Sequence, residues 1–272
     1  MSTIADAIHA LVELVLAPFD WMPAAWGLTL VSVLTGAMAL WIVGKTTRQR
    51  TLERTRDRMA ACIYEIRLFL DSPRRVASAQ WALLVTSAKY VVILLPALVA
   101  MALPLGVLYL HLEPRHGVAP AQAGEPVVVA VDVADGVDGY GVGPAGDQDG
   151  VTVTAPPLFD EAARRVYLRV EIADPGTHTL RVRAGEHTVE KRIDADPDAR
   201  IVSLERRSGV AALWAIGDEP ALPGDAGIER IGVAYEDARG NWLWLSLPWW
   251  LFWIGLATVA AFALRRPMGV TL

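Results

Sequence analysis

The chain has 272 residues, of which 53% are hydrophobic and 20% charged, with a net charge of -5 and a mean hydropathy of +0.34. Soluble domains usually carry about 25% charged residues. The composition therefore excludes an ordinary cytosolic enzyme, a disordered chain and, with one cysteine, a disulfide-rich secreted module. The apolar excess lies in stretches that are long enough to cross the ~30 Å hydrocarbon core of a bilayer. We predict transmembrane helices at 21–44, 90–112 and 241–264.

The first 20 residues are predicted to form an external helix on the membrane surface. Ile4, Ile8, Leu11 and Val15 share one helical face, and Pro18 ends the pattern. A simple extension of the first span is the alternative interpretation. We expect a retained span rather than a cleaved signal peptide, because a signal peptide would begin with basic residues and have an apolar core of only about 7–15 residues.

Charge is distributed unevenly between the predicted spans. The segment 45–89 contains ten Lys and Arg against four Asp and Glu, whereas 111–241 contains 13 against 23. Because basic segments remain in the cytoplasm, we place 45–89 and the tail 265–272 inside, and the N-terminus and 113–240 outside. Arg outnumbers Lys 22 to 3, which is typical of a high-GC bacterium and indicates the inner membrane.

The basic segment 45–89 predicts a cytoplasmic helical hairpin. Asp71-Ser72-Pro73 interrupts a heptad-like apolar pattern, because proline is tolerated at a helix start and not inside a helix. Because the basic residues border a membrane, they are interpreted as solvated and topology-setting rather than as a nucleic-acid site. The first arm, about 25 residues or ~37 Å long, carries the candidate client contacts Leu52, Met59, Ile63, Ile66 and Leu70.

The region 113–240 is predicted to be an all-β domain. Seven short segments with partial alternation of apolar and polar residues indicate an immunoglobulin-like antiparallel β-sandwich. Ala184-Gly185-Glu186 predicts a tight hairpin connection. The predicted strands are 127–133, 151–154, 166–172, 179–183, 188–193, 201–204 and 228–235.

Polar and aromatic residues mark the predicted spans. Thr29, Ser32 and Thr35 on the first span, with Lys89 before the second, form a candidate polar membrane face. Small hydroxylated residues are also typical of close helix packing in lipid, which is the more common reason for such a stripe. Aromatic residues near the start of the third span predict interfacial anchors, with a lipid- or partner-facing platform as the alternative. These are Trp242, Trp244, Trp249, Trp250 and Trp253.

No motif for enzyme chemistry, a metal or a cofactor is visible in the sequence. The stretch 141–146 matches G-x-G-x-x-G, but a strand and no helix follows it. The five histidines lack metal-ligand spacing, and no serine lies in a nucleophile-elbow context. We therefore predict that the chain is not an enzyme and needs no cofactor.

The residues 48–70, the turn at 71–73 and the Pro-containing span with Pro96 and Pro104 together resemble the YidC/Oxa insertase superfamily. The resemblance is greatest to its three-span endoplasmic-reticulum type and covers about 65 to 70 residues. It implies an insertase or chaperone that engages hydrophobic nascent or membrane-protein segments. The alternative hypothesis is a non-catalytic scaffold whose periplasmic β-sandwich binds a protein partner.

Overall fold

A computed structural model describes Leu14 and residues 16–19, 21–146, 148, 150–216, 219–238, 240–242 and 245–270. The predicted surface helix at 1–20 therefore lies almost entirely outside the described residues. Of that segment, Ala17–Phe19 form one turn of 3-10 helix.

The described residues form four α-helices: α1 (Ala24–Thr46), α2 (Gln49–Leu68), α3 (Pro73–His116) and α4 (Trp249–Leu264). Of these, α1 and α3 are long and apolar enough to cross a membrane, and α4 is a shorter apolar helix of 16 residues. The helix α3 has 44 residues and is therefore about 66 Å long. It continues through Pro96 and Pro104 without interruption.

The third predicted span begins later than the sequence indicated. Its helix starts at Trp249, immediately after Pro248, and not at Asn241. Proline disfavours the helical backbone conformation for the residue before it, and it is well suited to the start of a helix. The preceding residues Asn241–Trp242 (β10) and Leu245–Ser246 (β11) pair as a short antiparallel hairpin instead.

The region between α3 and α4 contains two further antiparallel sheets. The larger sheet has the strand order β3-β5-β1-β9-β8, with β4 also paired to β5, and the smaller has the order β2-β6-β7. Their strands are β1 (Pro126–Val133), β2 (Gly143–Pro144), β3 (Val151–Val153), β4 (Leu158–Asp160), β5 (Arg165–Ile172), β6 (Thr177–Ala184), β7 (His187–Asp194), β8 (Glu205–Arg207) and β9 (Ile228–Ala234).

Alternation explains how these strands build a core. In β1, Val127, Val129, Val131 and Val133 are buried, and the residues between them are more exposed. They belong to one apolar cluster with residues of β5, β6 and β7, so the two sheets share this core. The structure thus agrees with a helical protein that carries a β region of two antiparallel sheets.

The backbone hydrogen bonds correct one predicted strand and confirm one predicted turn. Residues 201–204 form no strand, because their backbone bonds to other groups: Val202 N–H donates to Pro114 O at 2.9 Å and Ser203 N–H to Asp194 Oδ2 at 2.8 Å. The predicted connection at Gly185-Glu186 is confirmed, with Ala184 opposite His187. Gly185 has φ +61°, a conformation that glycine adopts without strain.

The chain forms two compact units. One comprises Leu28–Gly106 and Leu251–Leu272, and contains most of the helices; the other comprises Met1–Gly27 and Val107–Trp250, and contains the sheets.

Candidate functional site

The helical hairpin is built as its sequence predicts, with a shorter first arm. The helix α2 has 20 residues and ends at Leu68, and α3 starts at Pro73. The Ser72 carbonyl accepts hydrogen bonds from the backbone N–H groups of Arg75 and Val76. Ser72 therefore provides the acceptor for the first hydrogen bonds of α3. Proline in the first helical position loses no hydrogen bond, because that N–H has no partner in a helix.

The packed face of α2 differs from the predicted stripe. One row of buried or half-buried positions on α2 recurs at intervals of 3, 4, 3 and 4: Leu52, Thr55, Met59, Cys62 and Ile66. On α3 the matching set has the same intervals: Val76, Ala79, Leu83, Thr86 and Tyr90. On an antiparallel pair joined at 69–72, the two sets lie opposite one another, as in a coiled coil. A direct contact joins Ser87 Oγ to Met59 Sδ at 3.5 Å.

The candidate client contacts therefore separate into two groups. Leu52, Met59 and Ile66 lie on the packed face and contribute to the hairpin itself. In contrast, Ile63 is 43% exposed and Leu70, which lies in the turn, is 73% exposed. Two residues that the prediction omitted, Tyr64 and Leu68, are 69% and 74% exposed. The tip of the hairpin thus presents four large apolar or aromatic side chains to its surroundings.

A groove of about 580 Å³ lies between the two arms of the hairpin. Arg54 and Arg58, one turn apart on α2, and Lys89 on α3 give it three cationic groups. In the described part of the chain, none of the three forms an ion pair and no carboxylate lines the groove. The other lining residues are Thr51, Thr55, Trp81, Ala82, Val85 and Thr86. This combination of cations and hydroxyls suits an anionic group.

The predicted polar membrane face is used mainly for packing. Ser32 and Thr35 are buried, and their hydroxyls donate to Leu28 O at 2.6 Å and Val31 O at 2.7 Å. Thr35 Oγ1 also accepts a hydrogen bond from Trp253 Nε1 of α4 at 3.1 Å. Thr29 is half-buried on the same helix, whereas Lys89 lies in the hairpin groove. The four residues do not come together as one polar surface.

The predicted interfacial anchors also divide by burial. Trp242, Trp249 and Trp253 are buried, so they pack inside the protein, and Trp250 is 42% exposed. Trp242 meets the His116 ring edge-on at a centroid distance of 5.4 Å. Trp244 lies outside the described residues. The three buried indoles therefore pack against protein groups, and the location of these residues at a membrane interface stays a prediction.

The β region contains a buried ionic cluster that the sequence analysis missed. Lys191 is fully buried, and its Nζ donates to the Ser203 carbonyl at 2.8 Å, to Ser203 Oγ at 2.9 Å and to the carboxylate of Glu219. Burial lowers the pKa of Lys191, and the carboxylate of Glu219 opposes this effect. The signal for it was the alternation of β7, which places Lys191 on the inward face with Val189 and Ile193.

This cluster is interpreted as structural. A Ser–Lys pair is a known nucleophile–base arrangement, but Ser203 is itself fully buried. Neither Ser203 nor Lys191 lines the hairpin groove or either of the two other cavities that the described residues form. In the described part of the chain there is likewise no group of three or more His, Cys, Asp or Glu side chains placed to hold a metal ion.

Comparison of the chain with protein-family models and with curated proteins finds no match to either.

Proposed function

We propose that this chain is a multi-pass protein of the bacterial inner membrane that captures hydrophobic segments of membrane-protein clients with its cytoplasmic hairpin, as an insertase or chaperone of the YidC/Oxa type. The observation that carries the proposal is the exposed apolar tip formed by Ile63, Tyr64, Leu68 and Leu70. Exposed apolar patches on an otherwise charged surface mark interaction sites. The remaining exposed face of α2 is strongly charged, which keeps the arm soluble.

The proposal includes three spans with the N-terminus outside and the C-terminus in the cytoplasm. The basic segment 45–89 and Arg265-Arg266 favour this topology under the positive-inside rule. The helix α4, with 16 residues, is about 24 Å long and would be accommodated by local thinning of the bilayer. A Glu186→Cys variant without Cys62 is expected to react with a membrane-impermeant maleimide from outside, and an Arg67→Cys variant only after permeabilisation. The reverse labelling pattern overturns the topology.

The groove between the hairpin arms supports a location at the cytoplasmic surface. Lys89 directly precedes the apolar part of α3, and Arg54 and Arg58 lie across the groove from it. Juxtamembrane cations attract anionic headgroups by about 1 kcal/mol each. A phosphatidylglycerol headgroup held there would fix the hairpin close to the bilayer, where a client segment enters.

Client capture is tested by site-specific photocrosslinking in the membrane. Probes at Ile63 and Leu68 are expected to form adducts with hydrophobic nascent chains of different sequence. A probe at Glu53, which is exposed on the same helix, serves as the matched control and should give few adducts. A double variant Ile63→Glu, Leu68→Glu should lower insertion of a reporter protein. Normal insertion in that variant, or after depletion of the protein, would contradict the proposal.

A non-catalytic scaffold is the second candidate function, and the packing of α1 favours it. Ser32 and Thr35 are buried with their hydroxyls engaged within the helices, so they offer a client no polar path. In this alternative the β region, as an external immunoglobulin-like sandwich, binds a periplasmic protein while the hairpin binds a cytoplasmic one. A single stable protein adduct at Ile63, independent of the client being translated, would favour the scaffold.

A further inference from the structure

A cavity of about 620 Å³ lies beside the C-terminal end of α3, in the unit that contains the sheets. Its volume falls within the range of about 300–1,000 Å³ that is typical of small-molecule sites. Aromatic rings and carboxylates line the cavity. They come from the end of α3, from the chain around β10 and β11, and from the start of α4. Its chemically distinctive lining residues are Tyr109, Glu113, Asp237, Ser246, Trp249 and Trp250.

Two of the aromatic rings that line the cavity contact each other. The rings of Tyr109 and Trp249 contact each other, with centroids 5.2 Å apart and planes inclined by 34°. Trp249 is buried, whereas Tyr109 and Trp250 are partly exposed at the cavity. The faces of aromatic rings attract cations. An anionic ligand is therefore disfavoured here, and an organic cation is favoured.

The carboxylates give the same cavity negative charge. Glu113 lies one helical turn after Tyr109, and its Oε2 atom is buried without a hydrogen-bond partner among the described residues. Asp237 forms no ion pair within the described part of the chain. A buried carboxylate oxygen without a donor is costly. A ligand that brings an N–H donor and a positive charge would remove that cost.

Gly117 makes this arrangement possible. A Cβ atom at that position would lie 2.7 Å from Glu113 Oε1 and 2.8 Å from Trp249 Nε1. Both distances are shorter than van der Waals contact, so only glycine lets the carboxylate and the indole approach the helix end so closely. The cavity therefore depends on a close approach that any larger residue would disturb.

We propose that this cavity binds a primary ammonium group, with the rings of Tyr109, Trp249 and Trp250 around the cation and Glu113 accepting its hydrogen bond. A primary ammonium has three N–H donors, whereas a trimethylammonium group has none and would leave Glu113 Oε2 unsatisfied. The ammonium comes either from a phosphatidylethanolamine headgroup or from a soluble amine. Binding of phosphatidylethanolamine requires that α3 spans the bilayer, as the proposed function states. Binding of a soluble amine does not require it.

The experiment uses the full chain purified in detergent micelles. Native mass spectrometry measures retention of phosphatidylethanolamine, phosphatidylglycerol and phosphatidylcholine offered in equal amounts. Tryptophan fluorescence is titrated with ethanolamine, putrescine and choline. Preferential retention of phosphatidylethanolamine identifies the lipid source. Saturable binding of ethanolamine or putrescine, with no lipid preference, identifies the soluble source.

Variants make the test specific to the cavity. Glu113→Gln keeps the shape and removes the charge, and is expected to weaken ammonium binding at least about tenfold, because hydrogen bonds to charged groups are the stronger ones. Asp237→Asn, at an exposed position, should weaken it less and leave folding intact. Glu186→Gln, in the exposed β6–β7 turn, is the matched control and should have no effect.

Three results would overturn the proposal. The first is equal retention of the three lipids together with no fluorescence response to any amine. The second is binding of choline or phosphatidylcholine as tight as that of the primary ammonium. The third is unchanged binding in both Glu113→Gln and Asp237→Asn. None of these readouts depends on client capture, so a failure here is distinguishable from a failure of the proposed function.

Discussion

The indole Nε1 of Trp253 donates a hydrogen bond to the hydroxyl of Thr35 at 3.1 Å, which joins α4 to α1 across 218 positions of sequence. The same hydroxyl donates to Val31 O at 2.7 Å within its own helix. Both side chains are buried, so one oxygen satisfies a backbone carbonyl and an indole N–H at once. Side-chain hydrogen bonds between helices in lipid contribute roughly 0.6–2 kcal/mol.

Replacing Thr35 with Val should therefore destabilise the packing of α1 against α4. The change keeps the size of the side chain and leaves the Trp253 N–H without an acceptor, which we expect to cost about 0.6–2 kcal/mol. Unfolding of the full chain in micelles, followed by tryptophan fluorescence, measures the effect. Thr46→Val is the matched control, because Thr46 is exposed and donates only to Ile42 O of its own helix. Equal stability of the two variants would contradict the prediction.

Gly36 sets the distance between the same two helices. A Cβ atom there would clash with the Ala257 carbonyl oxygen and lie 3.1 Å from Ala260 Cβ. Gly36→Val should separate α1 from α4 and cost about 1–3 kcal/mol or more, because overpacking forces backbone shifts. Disulfide trapping between cysteines placed on α1 and α4 reports the separation. Gly255→Val on α4 is the control, since a Cβ at Gly255 meets no atom within 4 Å; a similar loss of trapping there would argue against close packing at Gly36.

Lys191 should be essential for the stability of the β region. Lys191→Met removes the cation that faces Glu219 and leaves a nearly buried carboxylate without its ionic partner. Removing one member of a buried pair costs about 3–5 kcal/mol. Arg181→Met breaks the exposed pair with Glu190, whose atoms are 3.1 Å apart, and should change stability by less than about 1 kcal/mol. Denaturant unfolding monitored by near-ultraviolet circular dichroism compares the two, and similar losses would refute the assignment of Lys191 as structural.

The β region should lose stability at alkaline pH through Tyr235. Burial raises the pKa of the Tyr235 hydroxyl above its usual value of 10.0. Above pH 10 the unfolded chain releases this proton while the folded chain retains it, so the free energy of unfolding falls as the pH rises from 10 towards the folded-state pKa. Unfolding measured between pH 8 and 11 should show this slope, and Tyr235→Phe should reduce it. Tyr64→Phe, at an exposed position of α2, should leave the slope unchanged.

The groove of the hairpin should select anionic lipid. Arg58→Gln or Lys89→Gln removes one of its three cations, and each loss should weaken phosphatidylglycerol binding by about 1 kcal/mol. The effect should diminish at high salt, because screening shortens the range of the interaction. The ratio of phosphatidylglycerol to phosphatidylcholine that copurifies with the chain measures it. Arg67→Gln, an exposed change on α2 outside the groove, is the control and should keep the ratio of the unaltered chain.

The hairpin illustrates where sequence reasoning succeeds and where it stops. The break before Pro73 was predictable, because proline lacks the N–H that a helix interior requires. The packed face was predicted only in part, since Thr55 and Cys62 were not counted as apolar and Ile63 was. Small residues at a helix contact allow the backbones to approach, so geometry and not hydropathy selects Thr55 and Cys62 for the interior of the hairpin.

The β region shows the same division. Alternation predicted β1, β5 and β7 nearly to the residue, and the turn at Gly185 fixed one hairpin. The short strands β2, β4 and β8 were not predicted, because a strand of two or three residues is too short to show an alternation of apolar and polar side chains. The pairing of Lys191 with Glu219 joins positions 28 residues apart, and no local pattern specifies such a contact.

The apolar helices, the break that makes the hairpin and the alternating strands follow from the order of residues, because each depends on neighbours within a few positions. The separation of basic from acidic segments is equally a property of the order of residues. It is the folded chain that brings Trp253 to Thr35, leaves Ile63 exposed while Thr55 is buried, and places Glu113 in one cavity with Asp237 and Trp249. These contacts depend on distances between segments remote in sequence, which close packing selects and local propensity does not encode.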